Sequence, residues 1–179
     1  RDRLWKHINQ LLPLAGYEAS EHGLLDQRVL VVGVGSTFGF ALLLLALGAK
    51  KVVCIDPFLR TTDRLAEERF SETLAASIPW PAARARAEAH MAMAKARQFP
   101  EGFLIDGDKI RFHRVALEPQ GGALDGEGPF DLIISNAVLE HLYDVDLAMR
   151  RFKQLLSNTG GMAHGFAFMS HELFSRVHS

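Results

Sequence analysis

Four residues in the first third of the chain have the types and spacing to hold a nucleotide: Gly33, Gly35, Gly39 and Asp56. The run Arg28-Val-Leu-Val-Val-Gly-Val-Gly-Ser-Thr-Phe-Gly39 opens with Val and Leu and no polar alternation, as in a parallel strand buried on both faces. Gly33 and Gly35 then let the backbone turn sharply and approach a ligand closely. A helix expected from about Thr37 directs its free N–H groups at that ligand. Asp56 ends the next apolar strand, Lys51-Val-Val-Cys-Ile-Asp56, about 20 residues on, the distance at which a carboxylate reaches ribose hydroxyls. The combination points to an adenosine-containing cofactor. The spacing G-x-G-x-x-x-G is one residue longer than the usual dinucleotide fingerprint, so the glycines alone do not choose the cofactor.

The second half supplies candidates for proton chemistry. Asn136 ends the apolar run Phe130-Asp-Leu-Ile-Ile-Ser135, and Glu140 and His141 follow it closely. An imidazole exchanges its proton near neutral pH, so His141 is the candidate base or substrate ligand; a surface histidine at a helix start is the alternative. His164, inside a later strand, reads either as a hydrogen-bonded core histidine or as a site residue, and His171 is a weaker candidate. The scattered His and Glu do not reach metal-ligand spacing and the one cysteine has no mate, so no metal is expected.

These residues need a scaffold of alternating strands and helices. A helix over Asp2 to Leu12, ended by Pro13, comes first. Strands are expected at Arg28–Gly33, Lys51–Asp56, Lys109–Val115, Phe130–Ser135 and Met162–Phe168. Helices are expected at Thr37–Leu47, closed by Gly48, and at Val145–Leu156, where Val145, Ala148, Phe152 and Leu155 form a 3-4-3 stripe. Asn158-Thr-Gly-Gly161 should stop the second of these through a left-handed glycine. A short helix near His171 to Val177 follows. Between strands two and three, about residues 59–100, lie two further helices, Asp63–Ala75 and Ala82–Gln98, split by Pro79-Trp80-Pro81. Ala66, Phe70 and Leu74 fall on one face of the first. The Met91/Met93 stripe is either plain packing or a lid or dimer surface. Glu118–Gly128, with four glycines, reads as a flexible surface loop. The whole is one α/β domain with a doubly wound, mostly parallel sheet. Ligands bind such sheets at the carboxyl ends of the strands. Here those ends are Gly33, Val34, Gly35, Ser36 and Thr37, then Asp56, Pro57 and Phe58, then Ala116 and Leu117, then Ser135 to His141, and Ala167 to His171.

Composition narrows the surroundings. The chain has 179 residues, 48% hydrophobic and 23% charged, with a net charge of -1, ordinary values for a globular domain. That charge gives no electrostatic footprint for nucleic acid. The longest apolar run, Phe38 to Ala49, is too short for a bilayer, so no membrane partner is expected. A lone cysteine in a buried strand and no visible signal peptide favour a cytoplasmic location.

Taken in order, Val-Leu-Val-Val-Gly-Val-Gly, Ile55-Asp56, Phe130-Asp-Leu-Ile-Ile-Ser-Asn-Ala-Val-Leu-Glu-His141 and Asn158-Thr-Gly-Gly161 resemble class I (Rossmann-like) S-adenosylmethionine-dependent methyltransferases. The resemblance covers about residues 25 to 170. It implies S-adenosyl-L-methionine as cofactor, Asp56 on the ribose, and Ala116 and Leu117 beside the adenine. By position, Phe58 either covers the adenine face or is ordinary packing, and Asn136 either faces the methyl donor or is a plain turn residue. The family often has an acidic residue two before its first glycine, where this chain has Val31, and an Asp where it has Ala116. The family fold has seven strands, the last two a hairpin, so the resemblance implies a sheet lacking those two, or a fragment. The leading expectation is methyl transfer to an O or N atom of a small molecule. A nicotinamide-dependent oxidoreductase and a non-catalytic methyltransferase-like module are the rivals. Neither Tyr17 nor Tyr143 has the lysine four residues on that many such oxidoreductases use. A homodimer or a parent multidomain chain remains open.

Overall fold

Strand β1 (Arg28–Val32) lies at the centre of the sheet, and its four apolar residues are all buried. The computed structural model describes residues 3–35, 37–59, 64–96, 108–117 and 122–166. Around β1 the order is β3-β2-β1-β4-β5, with β2 Lys51–Ile55, β3 Ile110–His113, β4 Phe130–Asn136 and β5 Leu156–Gly165. Every described pairing is parallel. Because strand side chains alternate, Val29 and Val31 enter one core layer, while Leu30 and Val32 enter the other. A central strand flanked on both faces must therefore be apolar throughout.

On the first face lie α1 (Arg3–Leu14), α2 (Gly39–Ala46), α3 (Arg64–Ser77) and α4 (Pro81–Ala96). Helix α2 has no polar side because it needs none: it packs on β2 and under α3 and α4, and Gly39 and Ala41 to Ala46 are buried. The segment between β2 and β3 is thus a second helical layer above α2. From α4, Ala83, Ala87 and Met91 face inward as helix packing, while Met93 is exposed. From α3, Leu74 is buried together with Ser71 and Ala75, while Phe70 on the same face is partly exposed. Opposite, α5 (Val145–Leu155) buries Ala148, Phe152 and Leu155, with Val145 outward. Its first turn is capped by the Asp144 carboxylate, which accepts from the Leu147 N–H at 2.8 Å.

Three local expectations are corrected. Pro13 stands inside the last turn of α1, and the chain turns away at Gly16 with φ +84°. Strand β5 starts directly after α5, so Asn158 to Gly161 are strand residues, and neither Gly160 nor Gly161 is left-handed. These glycines serve close approach instead: a Cβ at Gly161 would lie 2.3 Å from the Ala15 carbonyl oxygen. The third correction concerns the glycine-rich stretch before β4. Its described part, residues 122–128, folds back on the sheet and buries Leu124 and Glu127. The Glu127 carboxylate accepts from Lys51 Nζ at 2.8 Å and Arg111 Nη1 at 2.7 Å, with His113 Nε2 at 3.0 Å. It ties the turn to β2 and β3, with Arg111 and His113 on one face of β3 and Phe112 against Phe38 on the other. The expected helix near His171 to Val177 lies outside the described residues. No helix among the described residues is long and apolar enough to cross a membrane.

Two groups, the buried Glu127 and the half-buried His164, make this fold acid-sensitive. Burial alone would raise the Glu127 pKa, but the hydrogen bonds from Lys51, Arg111 and His113 outweigh it and bring it from 4.5 to about 2. His164, hydrogen-bonded at Nδ1 to Ser135 Oγ (2.7 Å) and stacked on Phe152, is lowered by burial from 6.5 to about 4. In both cases the unfolded chain takes up the proton first, so each group's contribution is complete above its unfolded value and is lost as pH falls toward its folded one. Denaturant titrations should therefore show stability declining in two stages, from pH 6.5 to 4 and from 4.5 to 2. Glu127→Gln should remove the lower stage and cost about 3 kcal/mol at neutral pH, because it leaves Lys51 and Arg111 without their carboxylate. A pH profile flat down to 4.5 would contradict the His164 assignment.

Candidate functional site

Strand order reverses between β1 and β4, since the chain leaves β1 toward β2 on one side and returns at β4 on the other. The carboxyl ends of the strands diverge there and open a crevice. A cavity of about 500 Å³ occupies that place, within the ~300–1,000 Å³ typical of small-molecule sites. Its walls bring together most of the residues singled out from sequence: Gly33 and Gly35 after β1, Asp56, Pro57 and Phe58 after β2, Ala116 and Leu117 after β3, Asn136 at the end of β4 and His141 beyond it.

The glycine turn is held by conformation and by contact. Gly33 (φ +79°) and Gly35 (φ +73°) are both left-handed. A Cβ on Gly33 would lie 2.3 Å from Val138 Cγ2, whereas one on Gly35 would meet nothing within 4 Å. Gly33 is therefore required by packing, and Gly35 leaves backbone bare toward open space, a cradle for a ligand. Helix α2 starts at Gly39, two residues later than the sequence suggested, and Thr37 Oγ1 accepts from the Gly39 N–H at 3.4 Å. The third glycine has a different task from the first two. A Cβ there would sit 2.1 Å from Phe70 Cε1, so Gly39 admits α3 against the start of α2.

Asp56 forms the centre of the site. Its Oδ2 accepts from the Val34 N–H at 3.0 Å, and its Oδ1 from the N–H groups of Phe58 (2.8 Å) and Leu59 (3.1 Å). Val34 thus acts through its backbone and does not line the cavity. An ionised carboxylate offers about four acceptor positions, so one remains for a hydroxyl in the cavity. Removing this carboxylate therefore strips three N–H groups of their partner, and Asp56→Ala cannot leave the local fold intact.

The other named residues divide plainly. Phe58 stands at the rim with its ring exposed. Asn136 pairs with Gly165 across the strand ends, and a Cβ on Gly165 would come within 2.6 Å of Asn136 Oδ1. His141 sits in a short 3-10 turn, Leu139–His141, at the cavity wall. His164 is part of the packing under α5, away from this wall. Thr37 does not line the cavity, and Ser36, Ala167 and His171 fall outside the described residues. Ala137 and Val138 lay within the strand end Ser135 to His141, but sequence reasoning missed the apolar floor of Val32, Ile55, Val115 and Leu142, and the φ of +53° that Ala137 adopts. Their position directly after or within strand ends was the available signal; the left-handed alanine had none. Among the described residues no group of three or more His, Cys, Asp or Glu could hold a metal ion.

A family model described as "Methyltransferase domain" matches residues 4–165, and the chain belongs to that family. Among solved structures, it is similar to a Methanococcus maripaludis protein described as an S-adenosyl-L-methionine-dependent methyltransferase, with 15% identity and a TM-score of 0.49 over 97% of this chain and 58% of that one. A SAM-dependent methyltransferase from Thiobacillus denitrificans, solved with S-adenosyl-L-homocysteine, is 15% identical with a TM-score of 0.47, over 98% and 54%. Arabidopsis thaliana protein arginine methyltransferase 10 is 19% identical with a TM-score of 0.44, over 90% and 34%. The chain spans little more than half the length of the first two and about a third of the last. No curated protein matches it.

The two cavity glycines should respond differently to alanine. Gly35→Ala should cost only the left-handed backbone penalty, about 1–2 kcal/mol. Gly33→Ala should cost clearly more, because Val138 must also move. Equal losses in denaturant titrations of the two variants would contradict the packing role of Gly33.

Proposed function

We propose that the chain is an S-adenosylmethionine-dependent methyltransferase acting on an O or N atom of a small molecule. The observation that carries this reading is the cavity at the β1/β4 switch point, where a bare glycine turn and a buried carboxylate share one wall with an imidazole and an amide. The family match to a methyltransferase domain supports it. The residues present fit the cofactor: Gly35 leaves room beside its backbone, Asp56 keeps one acceptor position for a ribose hydroxyl, and Leu117 and Phe58 offer apolar surface for a flat base. When bound, S-adenosylmethionine supplies an electrophilic methyl group on a sulfonium.

The protein's own part is position and proton handling. Holding the acceptor in line with the methyl group removes much of the entropic barrier. Asn136, at the end of β4, orients the acceptor by hydrogen bonding, and His141 takes the proton that a hydroxyl acceptor loses on methylation.

Calorimetry should show micromolar binding of S-adenosylmethionine or S-adenosylhomocysteine, weakened by Gly35→Ala, whose Cβ intrudes on the cradle. Tight binding of NAD with neither sulfur compound binding would overturn the proposal. For a hydroxyl acceptor, His141→Ala should lower turnover about 10²–10⁴-fold with cofactor affinity unchanged; full turnover would return His141 to the surface.

A further inference from the structure

We infer that the chain carries a second site, at the amino ends of its strands, that binds the phosphate group of a small phosphorylated molecule. A cleft of about 270 Å³ opens there, bounded by Gly48 and Ala49 at the end of α2, Lys50 ahead of β2, Lys109 ahead of β3, and Arg86 and His90 of α4. Strand β2 is five residues long, so the cleft is roughly 17 Å from the cavity at the opposite strand ends.

The charges in this cleft are unusual for this chain. It holds 20 Lys and Arg against 21 Asp and Glu, so composition does not explain a cationic cluster. Lys50 and Lys109 precede neighbouring parallel strands, in which Val52 pairs with Ile110, so both stand at the same end of the sheet. Arg86 is fixed in place: its Nε donates to the Ala46 carbonyl at 2.9 Å and its Nη2 to the Glu21 carbonyl. Both acceptors are neutral, so they orient the guanidinium without cancelling its charge.

Among the described residues no carboxylate forms an ion pair with Lys50, Arg86 or Lys109, and Asp26 is the one acidic residue lining the cleft. Capping the carboxyl end of α2 accounts for Arg86 alone. The two lysines come from separate loops and make no side-chain hydrogen bond among the described residues. A tetrahedral phosphate satisfies all three cations at once, because a planar guanidinium and two ammonium groups donate to different oxygens. The small volume suits a phosphate with a compact substituent.

The test is calorimetric titration of the chain with inorganic phosphate and pyrophosphate, with ionic strength held constant by potassium chloride. Saturable one-site binding is expected, weakened about tenfold or more when Lys50→Gln and Lys109→Gln are combined. Both lysines lie far from Gly33 and Asp56, so S-adenosylhomocysteine binding should be the same in the variant as in the parent. Non-saturable heats, or equal binding by parent and double variant, would overturn the site. A 20-nucleotide single strand that binds more tightly than pyrophosphate at equal phosphate concentration, and loses binding in the same variant, would overturn the small-molecule assignment in favour of a nucleic-acid backbone.

Discussion

The buried carboxylate of Asp56 holds the functional end of the molecule together. It reaches back to the Val34 N–H in the glycine turn and forward to the N–H groups of Phe58 and Leu59. Without the carboxylate those three donors would lose their partner, and an unpaired buried N–H costs about 1–3 kcal/mol. With the carboxylate in place, the ends of β1 and β2 keep a fixed separation, and the left-handed turn at Gly33 and Gly35 is held against Val138. A ligand arriving in the cavity thus meets a prearranged wall. The carboxylate that would greet a ribose is the same one that builds the wall.

Helix α2 is the second constraint. It carries the glycine turn into the body of the protein, and it is buried on all sides because α3 and α4 lie over it. The three glycines of the G-x-G-x-x-x-G run therefore answer three demands: packing against Val138, open space for a ligand, and the approach of Phe70. On the other face of the sheet, Glu127 performs a comparable task for β2 and β3, fastening a turn through three cationic or titratable partners.

Much of this was legible in sequence because it depends on periodicity and on residues with few alternative uses. The unbroken apolar runs of β1, β2 and β4 announced a parallel sheet, and strand ends named Gly33, Gly35, Asp56, Asn136 and His141, which one cavity unites. What was not legible depends on long-range contact. Gly160 and Gly161 look like a helix stop, yet they are strand residues: Gly160 lies close against the backbone of β4, and Gly161 admits the chain just after α1. Glu127 sits in a glycine-rich stretch that reads as loop, and only the fold shows Lys51, Arg111 and His113 converging on it. The double use of Asp56 was equally hidden, since a carboxylate at a strand end carries no mark of the N–H groups it will accept. His164 could be read as core or site; it is half-buried and stacks on Phe152, away from the residues that line the cavity.

The central claim is that one cavity at the β1/β4 switch point holds an adenosine-bearing sulfur cofactor. Amide chemical-shift mapping of the isotope-labelled chain with S-adenosylhomocysteine tests it most directly. The account predicts saturable shifts concentrated at Gly33, Val34, Gly35, Asp56, Phe58 and Leu117, with the amino ends of the strands unmoved. Shifts confined to residues outside this cavity, or the same residues responding to NAD and not to S-adenosylhomocysteine, would contradict it.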